Sequence, residues 1–328
     1  MMRELTFSEA INEALYQALE LSDQVIVIGQ LVNFKPAVFG TTSGLVQKFG
    51  PKRVHDFPVS ESLMTSTGLG AALAGMRPVL VHHRMDFMLY SLDAIANWLS
   101  LWRFKANGQS SAPVTIRAVV GKGWGQGPQH SKSLHGWFAH LPGIRVAVPA
   151  TPHDAKGLLL ESIFGEDPCI IVENRSLFSM KGVVPENPYR VPFGRSVVRR
   201  TGRDLTIAAI GMMVPLAIRA ANEAAMESID VEVLDMRTVA PLDIAGVIAS
   251  VEKTGRLIVA DPSWQRVNVG SEIVSGVVEK IALRLRASPL RISLPQSHAP
   301  MSTALEEQYY PSEKRFLENI RAVMSPKI

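Results

Sequence analysis

Residues 60–83 have the sequence SESLMTSTGLGAALAGMRPVLVHH, and this stretch decides the fold class. Ser60 is of a type favoured at helix N-caps, and the small residues after it predict a helix over 61–74 that Gly75 closes. Residues 78–81 are apolar and predict a short buried strand. A helix that leads into a buried strand is typical of parallel sheets with helices on both faces.

The same alternation continues on both sides of this stretch. Thr6 and Glu9 have the spacing of a capping box, which predicts that a helix begins there. Apolar patterns predict strands over 25–28, 114–120 and 169–172, and helices over about 86–105 and 154–164. These elements are enough for a first α/β domain.

A proline-rich stretch with Pro185, Pro188 and Pro192 then interrupts the pattern. After it, strands predicted over 205–210, 231–235 and 257–260 alternate with helices predicted over 214–226, 244–252 and 270–285. We therefore expect an α/β protein of two domains with mainly parallel sheets. The expected boundaries are a first domain over 1–185, a linker over 186–200 and a second domain over 201–328.

The composition excludes several classes of protein. Hydrophobic residues make up 47% of the 328 residues and charged residues 20%, which is ordinary for a globular protein. Cys169 is the single cysteine, which rules out an internal disulfide and suits a reducing compartment. The formal charge of +4 is spread along the chain, so we expect no nucleic-acid partner.

Membrane insertion is also not expected. Residues 1–20 are amphipathic and acidic, unlike a signal peptide. The longest apolar stretch, residues 87–102, is interrupted by Asp93 and Asn97 and is shorter than the roughly 20 residues that a bilayer requires. We expect a cytoplasmic protein with no membrane partner.

The common nucleotide and metal motifs are missing from the sequence. It has no phosphate-loop signature, no Gly-x-Gly-x-x-Gly that opens a helix and no paired metal-ligand spacing, so no metal site is predicted. The glycine-rich stretch 121–127 is followed by Pro128 rather than by a helix. It fits better a loop at the carboxyl edge of a strand, where ligands bind in open parallel sheets.

Two candidate acid or base residues lie in suitable places. Glu61 falls in the first turn of its predicted helix, where the helix dipole favours a carboxylate; taken alone, it could simply complement that dipole. His130 follows Gln129 in the loop after the glycine-rich stretch, and could act as an acid, a base or a hydrogen-bond donor. By spacing alone, a structural role for His130 is equally good.

His82, His83 and Arg84 directly follow a predicted strand and should also lie at the edge of the sheet. A solvated turn would explain them as well as a binding site would. A metal pair is disfavoured because adjacent side chains diverge on a strand.

A set of ordered motifs carries a family resemblance over nearly the whole chain. They are KFGPKRV (48–54), PVSE (58–61), GMRPV (75–79), QHS (129–131), WFAHLPG (137–143), PATPHDAKGL (149–158), DMRTVAPLD (235–243) and KTGRL (253–257). Together they resemble the beta subunit of the thiamine-diphosphate-dependent 2-oxoacid dehydrogenase component, of the pyruvate and branched-chain type. Transketolases share the same domain plan.

The resemblance implies a pyrimidine-binding domain followed by a transketolase C-terminal-like domain. It implies that Glu61 is the glutamate that activates thiamine diphosphate by hydrogen-bonding its aminopyrimidine ring, and that His130 is the active-site histidine. Phe87 matches an aromatic residue beside the pyrimidine ring, although a core position would explain it nearly as well. The protein would then position the cofactor, and the cofactor would perform the chemistry.

The resemblance also implies partners. The family binds the diphosphate and Mg²⁺ through a Gly-Asp-Gly motif on an alpha subunit, and this chain has no Gly-Asp-Gly. We therefore expect an alpha subunit in a two-alpha, two-beta assembly and a small-molecule 2-oxoacid as substrate. A lipoyl acyltransferase is a candidate for a further partner.

The chain departs from the family pattern around the expected cofactor and substrate. Gln30 replaces a glutamate that belongs to an acidic path between paired sites, and an amide cannot carry that charge. His82, His83 and Arg84 replace less polar residues near the substrate and favour a polar or anionic one. His82, His83, Arg84 and Gln129 are the candidates for contact with the substrate, called the substrate-side candidates below.

Three functions are compatible with these residues. The first is oxidative decarboxylation of a 2-oxoacid with acyl transfer to a lipoyl domain. The second is a split transketolase-like or acyloin-forming enzyme, and the third is a non-catalytic assembly subunit that has kept the fold.

Overall fold

The computed structural model describes residues 2–34, 37–122 and 125–325. Its internal contacts divide the chain into two compact units. The first unit comprises Met1–Gly121 and Trp137–Phe193, and the second comprises Lys122–Gly136 and Gly194–Ile328. Each unit has its own sheet and its own apolar core.

The first unit is built around a parallel sheet. Its strands are β1 (Met2–Thr6), β2 (Val25–Gly29), β3 (Val54–Asp56), β4 (Arg77–His82), β5 (Thr115–Val120), β6 (Arg145–Ala147), β7 (Cys169–Asn174) and β8 (Lys181–Pro185). The order in the sheet is β6-β7-β5-β4-β2-β3, with every neighbouring pair parallel. β1 and β8 form a separate antiparallel pair.

Helices cover this sheet and leave its central strands almost fully buried. They are α1 (Phe7–Leu21), α2 (Leu45–Phe49), α3 (Glu61–Leu73), α4 (Met85–Met88), α5 (Trp102–Lys105), α6 (His135–Ala139), which spans the boundary of the two units, and α7 (Pro152–Ile163). The capping box at Thr6 and Glu9 is confirmed at the start of α1. Continuous burial explains why β5 and β7 are mostly apolar on both faces rather than alternating, with the enclosed pair of Arg117 and Glu173 as an exception.

Helix α3 approaches β4 closely because Gly68 has no side chain. A Cβ atom at position 68 would lie 2.8 Å from a methyl carbon of Leu80. This contact fixes the height of α3 above the sheet. Since α3 runs back along the strands, its first residue, Glu61, lies at the carboxyl edge of the sheet.

The prediction of one regular helix over 86–105 is wrong. The segment consists of α4, a 3-10 turn at Leu89–Ser91, a π-helical turn at Ala94–Leu99 and α5. The hydroxyl of Ser100 donates to the Ala96 carbonyl at 2.6 Å, and the backbone N–H of Ser100 donates to Ile95 instead. The serine side chain therefore takes the acceptor that an α-helix would use.

The second unit has a five-stranded sheet among its described residues, in the order β14-β13-β10-β11-β9. The strands of the unit are β9 (Val197–Arg200), β10 (Leu205–Ala209), β11 (Val231–Asp235), β12 (Thr238–Ala240), β13 (Leu257–Trp264) and β14 (Leu290–Leu294). β9 is antiparallel to β11, and the other neighbours are parallel. The helices are α8 (Met213–Ala225), α9 (Ile244–Thr254), α10 (Val269–Ile281), α11 (Thr303–Tyr309) and α12 (Glu313–Met324).

One ion pair is fully enclosed in the sheet of the first unit. Arg117 on β5 forms two hydrogen bonds with Glu173 on the adjacent β7, at 2.5 and 2.8 Å. The side chains are 1% and 0% exposed. Neither charge is solvated, so each charged side chain depends on the other for its stabilisation.

We expect Glu173→Leu to lower the free energy of unfolding by about 3–5 kcal/mol, because it leaves the Arg117 charge buried and unpaired. The double variant Arg117→Met/Glu173→Leu should recover most of this loss, since apolar side chains of similar volume often replace a buried pair at little cost. Urea unfolding measures both. A double variant as unstable as Glu173→Leu would contradict this account of the pair.

Candidate active site

Three of the predicted site residues meet at the carboxyl edge of the first unit's sheet. Gln30 directly follows β2, His83 directly follows β4, and Glu61 begins α3. β2 and β4 are neighbouring parallel strands, so their carboxyl ends lie side by side. Residues 30, 61 and 83 are far apart in sequence but adjacent here.

Hydrogen bonds join these three residues. The side-chain amide of Gln30 donates from Nε2 to Oε1 of Glu61 at 3.3 Å. Nε2 of His83 lies 2.7 Å from the backbone carbonyl oxygen of Gln30. A carbonyl oxygen only accepts, so His83 carries a proton on Nε2 and donates it.

The backbone of Glu61 is anchored from the segment that follows β4. The hydroxyl of Ser91 donates to the Glu61 carbonyl at 2.7 Å, and Thr65 donates to the Ser91 hydroxyl at 2.8 Å. Ser91 and Thr65 are both buried. Phe87 lies one turn before Ser91 and is half-buried. The Ser91 bond thus links the segment of Phe87 to the start of α3, a link that the sequence pattern did not reveal.

The carboxyl group of Glu61 is only partly engaged by the protein. Its side chain is half-buried, and Oε2 receives no hydrogen bond from any residue that the structure describes. Oε1 has the single, long bond from Gln30. A carboxyl group in this state can hydrogen-bond a further polar ring placed beside it.

His82 is a buried neutral histidine. It ends β4 and is 3% exposed, and within the described parts of the chain neither ring nitrogen has a hydrogen-bond partner. Burial, with a smaller contribution from neighbouring His83, lowers the pKa of His82 from 6.5 to about 3. The interpretation of residues 82–84 as a solvated turn is therefore wrong at His82, because β4 extends one residue farther than its apolar run.

Arg84 is also covered, being 2% exposed. Its guanidinium carbon lies 5.4 Å from the ring centroid of Phe39, and that of Arg175 lies 4.9 Å from the same centroid. Both distances suit cation–π contacts. Contact of His82, His83 or Arg84 with a substrate stays a prediction.

His130 and Gln129 lie in the segment that belongs to the second unit. Gln129 is exposed in a 3-10 turn, Gly127–Gln129, and Nδ1 of the half-buried His130 donates to the Gln126 carbonyl at 3.2 Å. The Ser131 hydroxyl donates to the Gly127 carbonyl at 2.8 Å. Of the glycine-rich stretch, Gly123 and Trp124 lie outside the described residues.

A buried polar network holds the end of this segment. Nε2 of His135 lies 3.0 Å from Oδ1 of Asp261, and Nδ1 of His135 lies 3.1 Å from the Ser133 hydroxyl. Burial opposes the charged form of Asp261, but His135 and hydrogen bonds from Ser263 and Gly270 outweigh it and hold the pKa of Asp261 below its usual value. Asp261 was not predicted as a functional residue, because it lies within a buried strand.

The described residues contain neither a cluster of metal ligands nor a membrane-spanning helix. No group of three or more His, Cys, Asp and Glu side chains in the described part of the chain could hold a metal ion. No helix among those residues is long and apolar enough to span a membrane.

Comparison with known proteins relates both units to one family of enzymes. Residues 3–181 match the transketolase pyrimidine-binding domain, and residues 194–315 match the transketolase C-terminal domain. The acetoin:2,6-dichlorophenolindophenol oxidoreductase subunit beta of Cupriavidus necator is 38% identical over 334 residues, covering 99% of this chain and 98% of that protein. The pyruvate dehydrogenase E1 component subunit beta of Bacillus subtilis is 38% identical over 324 residues, covering 98% and 99%.

A solved structure agrees on the fold. It is described as a split gene transketolase, inactive beta4 tetramer, and it superimposes with a TM-score of 0.79 over 98% of both chains. Its sequence identity to this chain is 21%, so the likeness concerns the fold alone. The predicted two-domain α/β fold with mainly parallel sheets is confirmed.

Acid should destabilise this protein partly through His82. A buried histidine whose pKa falls from 6.5 to about 3 on folding contributes no penalty above pH 6.5 and a growing one below it. We expect stability to fall by an additional amount approaching about 1.4 kcal/mol per pH unit as the pH drops below 6. In His82→Phe this contribution to the slope should be missing.

Urea unfolding between pH 4.5 and 7.5 measures the difference in slope. The exposed His140 provides the control, since His140→Phe should keep the wild-type slope. Equal slopes for the wild type and His82→Phe would show that His82 is not buried in neutral form.

Proposed function

Because the chain belongs to the family of beta subunits of thiamine-diphosphate-dependent 2-oxoacid dehydrogenases, we propose that it supplies the half of the active site that holds the aminopyrimidine ring. The reaction is oxidative decarboxylation of a 2-oxoacid, with transfer of the acyl group to a lipoyl domain. The observation that carries the proposal is the partly engaged carboxyl group of Glu61 at the carboxyl edge of the sheet.

The residues present fit the pyrimidine half of the cofactor. Oε2 of Glu61 receives no hydrogen bond from the described residues, and the half-buried aromatic residue Phe87 lies on the segment tied to Glu61 through Ser91. A ring with polar edges and an apolar face requires this combination. Phe87 is therefore proposed to pack against the ring while Glu61 hydrogen-bonds its nitrogen.

Thiamine diphosphate, when bound, supplies a nucleophilic carbon that adds to a substrate carbonyl. Glu61 would hold a ring nitrogen in a hydrogen bond and keep or release a proton at Oε2. Gln30 would orient the carboxyl group from the other side. For His130 we propose a hydrogen bond to a substrate oxygen or transfer of a proton to it.

The other half of the cofactor requires a second chain. The sequence has no Gly-Asp-Gly motif for the diphosphate and Mg²⁺. We propose that an alpha subunit holds both, in a two-alpha, two-beta assembly located in the cytoplasm, and that a lipoyl acyltransferase accepts the acyl group. The substrate-side candidates His82, His83, Arg84 and Gln129 favour a more polar substrate than pyruvate.

A second candidate function has its own support. One of the most similar relatives is named for the oxidation of acetoin, an acyloin, with an artificial electron acceptor. The substrate could accordingly be an acyloin rather than a 2-oxoacid, with the same role for Glu61. Assays of the assembled enzyme with dichlorophenolindophenol and each substrate class distinguish the two.

We expect Glu61→Gln to reduce turnover of the assembled enzyme at least a hundredfold, because an amide cannot exchange a proton with the ring. Folding should be little affected, since losing a first-turn carboxylate costs about 0.3–1 kcal/mol. The measurement is kcat with the alpha subunit present, together with thermal unfolding of the isolated chain.

Glu272 provides a matched control for this variant. It is an exposed glutamate in the first turn of α10, so Glu272→Gln removes an equivalent charge away from the proposed site. It should have wild-type turnover. If Glu61→Gln kept its turnover as well, the assignment of Glu61 would be wrong.

The isolated chain should bind thiamine diphosphate only weakly, with no gain on adding Mg²⁺, because the charged half of the cofactor would lack its partners. Isothermal calorimetry of this chain, of the alpha subunit and of their mixture tests this. Tight, magnesium-dependent binding by the beta chain alone would rule out a site divided between two chains.

A further inference from the structure

Two residues that contact each other lie beside Glu61. Gln30 directly follows β2, and His83 directly follows the neighbouring parallel strand β4. In the structure His83 donates to the backbone carbonyl of Gln30 at 2.7 Å, and Gln30 donates to Glu61 at 3.3 Å. The two residues are thus parts of one arrangement.

The direction of each hydrogen bond is determined by chemistry. The Gln30 carbonyl can only accept, so Nε2 of His83 donates whether the imidazole is neutral or protonated. A carboxylate oxygen accepts from the Gln30 amide. The bonds therefore run from His83 to the backbone of residue 30, and from the side chain of residue 30 to Glu61.

Packing restricts the backbone at this point. Gly29 precedes Gln30, and a Cβ atom at position 29 would lie 2.7 Å from Val32 and 2.8 Å from the Val81 carbonyl. The end of β2 is therefore pressed against the end of β4, two residues before His83. His83 fixes a backbone position that is already narrowly limited, and this sets the point from which the Gln30 side chain reaches Glu61.

We propose that His83 and Gln30 are positioning residues for Glu61: His83 fixes the backbone of Gln30, and the Gln30 amide binds Oε1 and leaves Oε2 as the oxygen presented to the ligand. This inference rests on the proposed function of Glu61. It assigns a different task to position 30 from that of a charged residue: an amide binds the carboxylate without competing for its proton. It also gives His83 a role that requires no contact with substrate.

Nuclear magnetic resonance on the isolated chain tests the arrangement without any activity. The side-chain amide of Gln30 should give a signal that shifts in Glu61→Gln and in His83→Phe, and the Nε2 proton of His83 should give one that shifts in Glu61→Gln. Gln30→Glu removes the amide donor and places a second carboxylate beside the first, so the Nε2 proton signal of His83 should differ from that of the wild type. Gln308→Glu, at an exposed position of α11, should leave that signal unchanged.

Kinetics of the assembled enzyme test the consequence. Gln30→Met keeps the length of the side chain but removes the donor, and we expect kcat to fall about tenfold with KM within twofold. His83→Phe should lower kcat to a similar degree. The double variant should be no worse than the stronger single variant, since both act through one hydrogen bond. Gln308→Met should match the wild type.

The outcomes separate this inference from the function on which it rests. Full activity of Gln30→Met, or multiplicative losses in the double variant, would overturn the positioning role even if Glu61→Gln is inactive. An active Glu61→Gln would overturn the proposed function, while the resonance shifts would still report the three-residue contact. Absence of those shifts in every variant would overturn the contact itself.

Discussion

The parallel arrangement of the first unit's strands is the constraint on which the candidate site depends. Parallel strands end at a common edge, and the helix between two of them must return with its N-terminus at that edge. Gly68 lets α3 lie close to β4, and the hydroxyl of Ser91 holds the backbone of its first residue. The position of the Glu61 carboxyl group is therefore a consequence of topology and of two small residues.

Much of this arrangement could be predicted from the sequence. The small-residue helix before an apolar strand indicated the α/β unit, and most elements lie within a few residues of their predicted bounds. Short peripheral elements such as β1, β9 and β14 escaped prediction, because strand pairing with a distant segment rather than local pattern stabilises them. The π-helical turn before Ser100 was not predicted for another reason. The Ser100 hydroxyl changes the hydrogen-bond register of the helix, while the spacing of the apolar residues stays that of an α-helix.

The site was only partly accessible by the same means. The family pattern identified Glu61, Gln30 and His83 as separate positions, but a contact across two strands depends on register and side-chain direction. The interpretation of His82 as part of a solvated turn was wrong. A histidine after an apolar run suggests such a turn, but β4 continues through His82 and the residue is buried. Asp261 had no recognisable signal in the sequence, since its histidine partner, His135, lies 126 residues earlier.

The distribution of charge separates the stability of the fold from the chemistry of the site. The buried charges Arg117 and Lys156 each meet a carboxylate, and Asp261 meets His135 and backbone donors. Glu61 instead meets a single neutral amide in a half-buried position. The fold therefore gains little stability from the charge of Glu61, and the carboxyl group of Glu61 stays available for a ligand. A fully satisfied ion pair in the same place would stabilise the chain but would leave no acceptor for an aminopyrimidine ring.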